Sequence, residues 1–178
     1  DYDKAEELYK KALALDPSRA NITGNYANFL KNARKDYDKA EELYKKALAL
    51  DPSHANHTGN YAGLLLGLGR KDGWPLLNQL LEKDLSNEQP LLLECLFYQH
   101  AHTKDSAIRM SSLKKLKPIL VEGICSPGWD LSLNVKRAIS DGYSDVEFLK
   151  KLADVISEKA KIDELDVFDI WRNVKPDG

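Results

Sequence analysis

Apolar positions early in the chain recur at three- and four-residue steps over residues 2–15 and again over 37–50. In the second run Ala40, Leu43, Tyr44, Ala47 and Leu48 share one helical face. Glu41, Glu42, Lys45 and Lys46 take the other. Glu41–Lys45 and Glu42–Lys46 are i,i+4 pairs in the favourable order, about 0.2–0.5 kcal/mol each. Asp51-Pro52 ends the run, because a residue before proline is pushed out of the α region. A second helical run, Ala55 to Leu66, places Tyr61, Ala62 and Leu65 on its apolar side. Each unit is therefore two antiparallel helices joined by a short turn. The unit is repeated. Residues 1–30 and 36–65 agree at 26 of 30 positions, differing only at Arg19/His54, Ile22/His57, Asn28/Gly63 and Phe29/Leu64. A period of 35 residues means a stacked array.

Past Leu65 the repeat degrades into Leu66-Gly-Leu-Gly-Arg-Lys-Asp-Gly73, and Trp74-Pro75 opens a helix with Leu76, Leu77, Leu80 and Leu81 apolar. It reads as a divergent second helix for the Ala55–Leu66 hairpin. Ser86 is the expected N-cap of a helix Glu88–Ala101, apolar around most of its circumference. Ser106–Glu122 follows, with Ile108, Leu113, Leu116, Ile119 and Leu120 expected inward and a kink expected at Pro118. A loop spans Gly123–Asp130 and a short helix Leu131–Ser140. Ser144-Asp-Val-Glu147 reads as a capping box for a helix from Asp145 to about Lys159. A last helix is expected over Asp163–Val174, and the tail Lys175–Gly178 is expected to fray. No strand signal appears.

Small residues at Ala27, Ala40, Ala47 and Ala62 let helix axes approach to about 8–10 Å, and Tyr26, Tyr44 and Tyr61 fill the spaces between units. With these residues in view, the stretch Asp36 to Pro52 resembles the second helix of a tetratricopeptide repeat. Asn25-Tyr-Ala-Asn-Phe-Leu30 resembles the first. The family's small–aromatic–small–proline series falls on Ala40, Tyr44, Ala47 and Pro52. Its large–small–large series falls on Tyr26, Ala27 and Leu30. Two features depart from it. The period is 35 where the family's is about 34, which points to one extra residue in the Asn32–Lys35 turn. Thr23 and Thr58 stand where the family has tryptophan. The resemblance implies an all-α fold, an α-solenoid of helical hairpins with a helical C-terminal cap. Residues 1–73 form the repeats; residues 74–178 form a divergent repeat plus cap, covering the open end of the array.

Composition adds limits. The chain has 178 residues, a net charge of −2 and interspersed charges, so a basic nucleic-acid footprint is absent. No apolar run is long enough to span a membrane, and no signal peptide is visible, which together lead to a cytoplasmic expectation. Two cysteines, Cys95 and Cys125, do not make a disulfide scaffold. The sequons at Asn21 and Asn56 read as chance. The chain starts at a second helix, so it is expected to be a piece of a longer array. That helix would expose Leu8, Ala12 and Leu15, a candidate self-association face through which two copies could pair.

The first helix of each hairpin lines the inner surface of such an array, and here it carries Asn21, Asn25, Asn28, Lys31, Asn32, Asn56, His57 and Asn60. Asparagine both donates and accepts, which suits gripping the backbone of an extended peptide. One subclass of the family holds a terminal carboxylate with asparagines where Asn28 and Asn60 stand. Its lysine position is Gly24 here, and its second basic pair is replaced by Glu88, Gln89 and Leu92, so that clamp is incomplete. His54 and His57, like His100 and His102, lack the converging partners of a metal site; no metal and no cofactor is implied. The acidic cluster Asp163, Glu164, Asp166 and Asp169 reads as the solvated face of a docked helix. No catalytic motif is present. The expected function is protein–protein interaction, with a protein or peptide partner in the concave groove, Tyr26 and Tyr61 supporting it. Alternatives are a C-terminal effector or enzymatic domain with the repeats as adaptor, and a self-associating scaffold.

Overall fold

A computed structural model describes residues 1–175, and residues 176–178 of the expected frayed tail lie outside it. Ten α-helices and no strand occur among the described residues. They are α1 (Tyr2–Leu15), α2 (Ala20–Phe29), α3 (Tyr37–Leu50), α4 (Ala55–Gly67), α5 (Gly73–Leu81), α6 (Gln89–His102), α7 (Ser106–Val121), α8 (Ser132–Ser140), α9 (Val146–Ile156) and α10 (Asp169–Asn173). The chain is an all-α, solenoid-like stack.

The repeats are held by the same contacts twice over. Asp1 and Asp36 cap α1 and α3 by accepting from first-turn backbone N–H groups. After each helix the carboxylate of Asp16 or Asp51 accepts from both the backbone N–H and the hydroxyl of Ser18 or Ser53. Tyr9 stacks on Tyr26 at 5.3 Å and Tyr44 on Tyr61 at 5.7 Å. Glu6 accepts from Tyr26 and Arg34 and pairs with Lys10; Glu41 accepts from Tyr61 and Arg70 and pairs with Lys45. The expected Glu42–Lys46 pair is absent among the described residues, although its counterpart Glu7–Lys11 forms in the first repeat at 2.8 Å. Thr23 and Thr58, in place of a bulkier residue, turn their hydroxyls back onto the carbonyls of Arg19 and His54.

The extra residue of the first repeat is absorbed inside the helix rather than in the turn. Leu30–Arg34 forms a π turn continuing α2, and Lys35 follows in the left-handed region with φ 58°. In the second repeat the left-handed residue, Gly69, comes one residue sooner after the helix start, and no π turn is needed. The widened turn buries Lys31 and sends Lys35 to an ion pair with Asp130.

Helices α2–α3, α4–α5 and α6–α7 pack as three consecutive hairpins. Their first helices approach one another at glycines. A Cβ added to Gly24 would lie 2.3 Å from the His57 ring, and one on Gly59 would lie 2.7 Å from Leu91. Leu91 thus stands to Gly59 as His57 stands to Gly24, and α6 continues the array.

The remaining chain packs back onto the array. Helix α8 lies on α4 and α6, the first helices themselves. Asn134 donates to the Gly63 carbonyl at 2.8 Å, and Leu133 fills the space left by Gly67, 2.8 Å from where a Cβ would be. Behind α8, Phe148, Leu149, Leu152, Val155 and Ile156 of α9 are buried in the same core as α6 and α7.

Local details differ from expectation. Ser86 is not a cap; its N–H donates to Asp84, and α6 starts on Glu88 with Pro90 in its first turn. Asp145, not Ser144, caps α9, accepting from the Phe148 N–H, and α9 stops at Ile156 before Glu158 turns left-handed at φ 61°. Ile108 is exposed on α7. The expected last helix is broken into a 3₁₀ turn, Ile162–Leu165, and the short α10. Its anchors Ile162, Leu165, Phe168 and Trp171 come every third residue, a spacing that suits 3₁₀ turns better than an α-helix. Lys117 fixes this segment by donating to the carbonyls of Trp171 and Val174 at 2.7 and 3.0 Å.

The Gly63 contact yields a prediction. Its added Cβ would meet the ring and hydroxyl of Tyr98 at 2.5–2.7 Å, and Tyr98 is fully buried. Gly63→Ala therefore lowers stability by about 1–3 kcal/mol in chemical denaturation, despite alanine's better helix propensity. Unchanged or increased stability would contradict this packing.

Candidate functional site: an amide-lined half-groove

On the N-terminal half of the first-helix face lies a cavity of about 400 Å³. Asn21, Asn25 and Asn28 come to it from α2; His54, Asn56, His57 and Asn60 from the start of α4; Pro90, Leu91 and Glu94 from α6; Trp129 from the loop before α8. Six of the eight residues expected on the inner surface line this one cavity; Lys31 and Asn32 do not. Lys31 lies behind it, only 3% exposed, with its Nζ over the Trp129 ring at 5.1 Å.

The asparagines differ in availability. Asn21, Asn25 and Asn56 are exposed. Asn28 accepts from the Tyr44 hydroxyl, so it also supports the hairpin. Asn60 is buried, and its Oδ1 has no hydrogen-bond partner. Both ring nitrogens of His57 and the Lys31 Nζ are buried without a hydrogen bond as well. Buried polar groups are nearly always bonded, so four such atoms around one cavity mark a site able to take further bonds. His54 stacks on His57 with ring centroids 3.7 Å apart.

Trp129 and Glu94 close the cavity on the α6 side. The indole N–H of Trp129 donates to the Tyr98 hydroxyl at 3.1 Å, and the Ser126 hydroxyl donates to Glu94 at 2.9 Å. Burial pushes the Glu94 carboxyl well up, against the pull of Ser126 and Lys31. Burial likewise pushes the Lys31 ammonium down, against the pull of Glu94 and Asp130. Sequence reasoning missed Trp129, Glu94, Pro90 and Leu91. Glu94 alone left a signal, as one acid in the apolar run Leu91–Tyr98.

At the N-terminal end of the array, α1 has no fully buried residue. Leu8 and Leu15 are exposed and Ala12 is half-buried, while Tyr9 and Leu13 pack on α2. Among the described residues no group of three or more metal-ligating side chains converges, and no helix is long and apolar enough to cross a membrane.

A tetratricopeptide repeat model matches residues 31–73 and a second matches residues 1–19. The N-terminal part of the chain consists of tetratricopeptide repeats. Such repeats generally mediate protein–protein interaction. No curated protein and no solved structure matches the chain.

The histidines make stability pH-dependent. Burial lowers His57, His100 and His102 each to about 4; the His54 charge adds to this at His57, while the hydrogen bond to the Arg109 carbonyl at His100 and the Asp141 charge at His102 partly oppose it. The unfolded chain therefore binds more protons at these sites between their folded and ordinary values, and stability falls on acidification through that window. Glu94, raised by burial, works in the opposite direction. Unfolding near pH 5 takes up about two protons net, three at histidine less one at Glu94. Denaturation midpoints measured from pH 7 to 4.5 should fall steadily. A flat profile would contradict the buried neutral histidines.

Proposed function

We propose that the chain is a protein–protein interaction module that takes a short extended segment of its partner into the amide-lined half-groove. The supporting observation is the convergence of five asparagines from two successive first helices on one cavity. Amides set along a groove can pair with the alternating N–H and C=O groups of an extended backbone, which gives affinity with little dependence on side-chain sequence. The adjoining part of the first-helix face is taken by α8, which favours a short segment over a long peptide or a partner helix. Trp129 and Leu91 offer apolar surface at one end for an anchoring side chain.

The effector or enzymatic reading of residues 74–178 has less support. Two cavities lie within that region, one of about 280 Å³ between α8 and α9, lined by Ser132, Ser157, Asp154, lysines and apolar residues, and one of about 300 Å³ between α5, α6 and α7, and neither is lined by a histidine or cysteine. The strongly perturbed carboxylate, Glu94, faces the half-groove instead. Self-association of two copies through Leu8, Ala12 and Leu15 rests on the exposure of the two leucines alone, with Ala12 half-buried.

Selection of peptides from a displayed random library on the intact chain tests the proposal. Peptides so obtained should bind Asn25→Ala/Asn56→Ala about tenfold or more weakly, two lost hydrogen bonds at about 1 kcal/mol each. Both residues are exposed, so the fold is retained. Peptides that bind the double variant as well as the parent chain would place the site elsewhere.

A further inference from the structure

A second cavity, of about 450 Å³, opens where the C-terminal ends of α4, α6 and α8 meet. It is separate from the half-groove and its chemistry is different. Lys71, Lys104 and Arg137 line it together with His102, Trp74 and Asp141. Arg70 is there too, but each of its three guanidinium nitrogens already donates to Glu41 or Asp72.

Cations commonly gather at helix C-termini to offset the exposed carbonyls. That explanation does not account for these. The last carbonyls of α4 are taken by the backbone N–H groups of Leu68, Gly69 and Arg70. Those of His100 and Thr103 are taken by Arg109. Those of α8 are taken by Asp141, Gly142 and Tyr143. Lys71 and Lys104 bond none of them and have no ion-pair partner among the described residues.

Arg137 and His102 add donors, and Asp141 is the one carboxylate in the lining. Arg137 gives its Nε to Asp141 at 2.8 Å and leaves both Nη groups without a hydrogen bond among the described residues. Its guanidinium lies flat against Gly69, at φ 76°, where an added Cβ would meet it at 2.3 Å. His102 accepts from Asn134 at Nε2, 3.1 Å, which leaves the proton of the neutral ring on Nδ1. The carboxylate of Asp141 is engaged by Arg137. Trp74 and Leu66 supply an apolar wall beside this donor-rich end.

We propose that this cavity binds a phosphate monoester. A phosphate monoester carries about −1.5 to −2 charge at neutral pH and offers three acceptor oxygens. That charge matches two unpaired lysines, and those oxygens match the free donors of Arg137 and His102. The apolar wall takes the group that bears the phosphate. The volume falls in the range of small-ligand sites, about 300–1,000 Å³, so the ester can be a phosphorylated side chain of a protein partner or a free mononucleotide-sized molecule.

The test is titration of the intact chain by calorimetry and ¹⁵N NMR at low salt. The probes are a short phosphoserine peptide, its unphosphorylated twin, AMP and inorganic phosphate. A phosphate ester should bind with shifts centred on Lys71, His102, Lys104 and Arg137, and binding should weaken with salt. Lys71→Gln/Lys104→Gln and, separately, Arg137→Gln should each weaken it about tenfold or more at unchanged melting temperature. Phosphopeptide bound more tightly than AMP identifies a protein-borne phosphate; the reverse identifies a free ester. The proposal is overturned if neither ester binds, if only inorganic phosphate binds, if the unphosphorylated twin binds equally, or if the substitutions leave binding unchanged. Arg137→Lys, which keeps the charge without the planar fork, guards against loss of fold as the cause of a weakened Arg137→Gln.

Discussion

Everything in this chain depends on how closely the first helices can approach one another. At Gly24 and Gly59 the absent side chain is replaced by a residue of the next first helix, His57 in one case and Leu91 in the other. The second helices contribute aromatic stacking, Tyr9 on Tyr26 and Tyr44 on Tyr61, and an acid–tyrosine–arginine cluster around Glu6 and Glu41. Glycine on the inner side and tyrosine on the outer side set the spacing of each hairpin against the next, so the polar residues of α2 and α4 are brought to one surface without touching one another's core.

The C-terminal region uses the same vacancies further along. Gly63 admits the ring of Tyr98, and Gly67 admits Leu133 of α8. The array and the region after it thereby share packing, and α4 contributes Ala62 and Leu66 to the larger core while Tyr61, Leu64 and Leu65 belong to the smaller one. The cost falls on the groove. Where α8 lies on α4 and α6, the inner face is no longer open. What is left is the end between α2 and α4, closed by Trp129 and floored by the buried Lys31. The π turn at Leu30–Arg34 links these features, because it turns Lys31 inward and puts Lys35 in reach of Asp130.

The repeats were legible because their sequence is almost written twice, and Asp-Pro marks each helix end. The asparagine face was legible for the same reason, since Asn21, Asn25, Asn56 and Asn60 sit at polar positions of a recognisable first helix. The extra residue was legible as a count but not as a place. A π turn costs little when the helix end is free to widen, and nothing local distinguishes it from a longer loop. Trp129 and Glu94 were not legible as site residues, because they reach the groove only through packing between segments far apart in sequence. The single helix expected over Asp163–Val174 breaks because Ile162, Leu165, Phe168 and Trp171, three residues apart, anchor successive tight turns.

The proposed working surface is the open end of the first-helix face, between α2 and α4, with α8 docked on the rest. A crystal structure of the chain with a library-selected peptide tests it most directly. The expected result is an extended peptide alongside Asn25 and Asn56, ending near Trp129, with α8 still seated on Gly63 and Gly67. A peptide lying where α8 now lies, with α8 displaced, or a peptide bound away from the first helices, would contradict it.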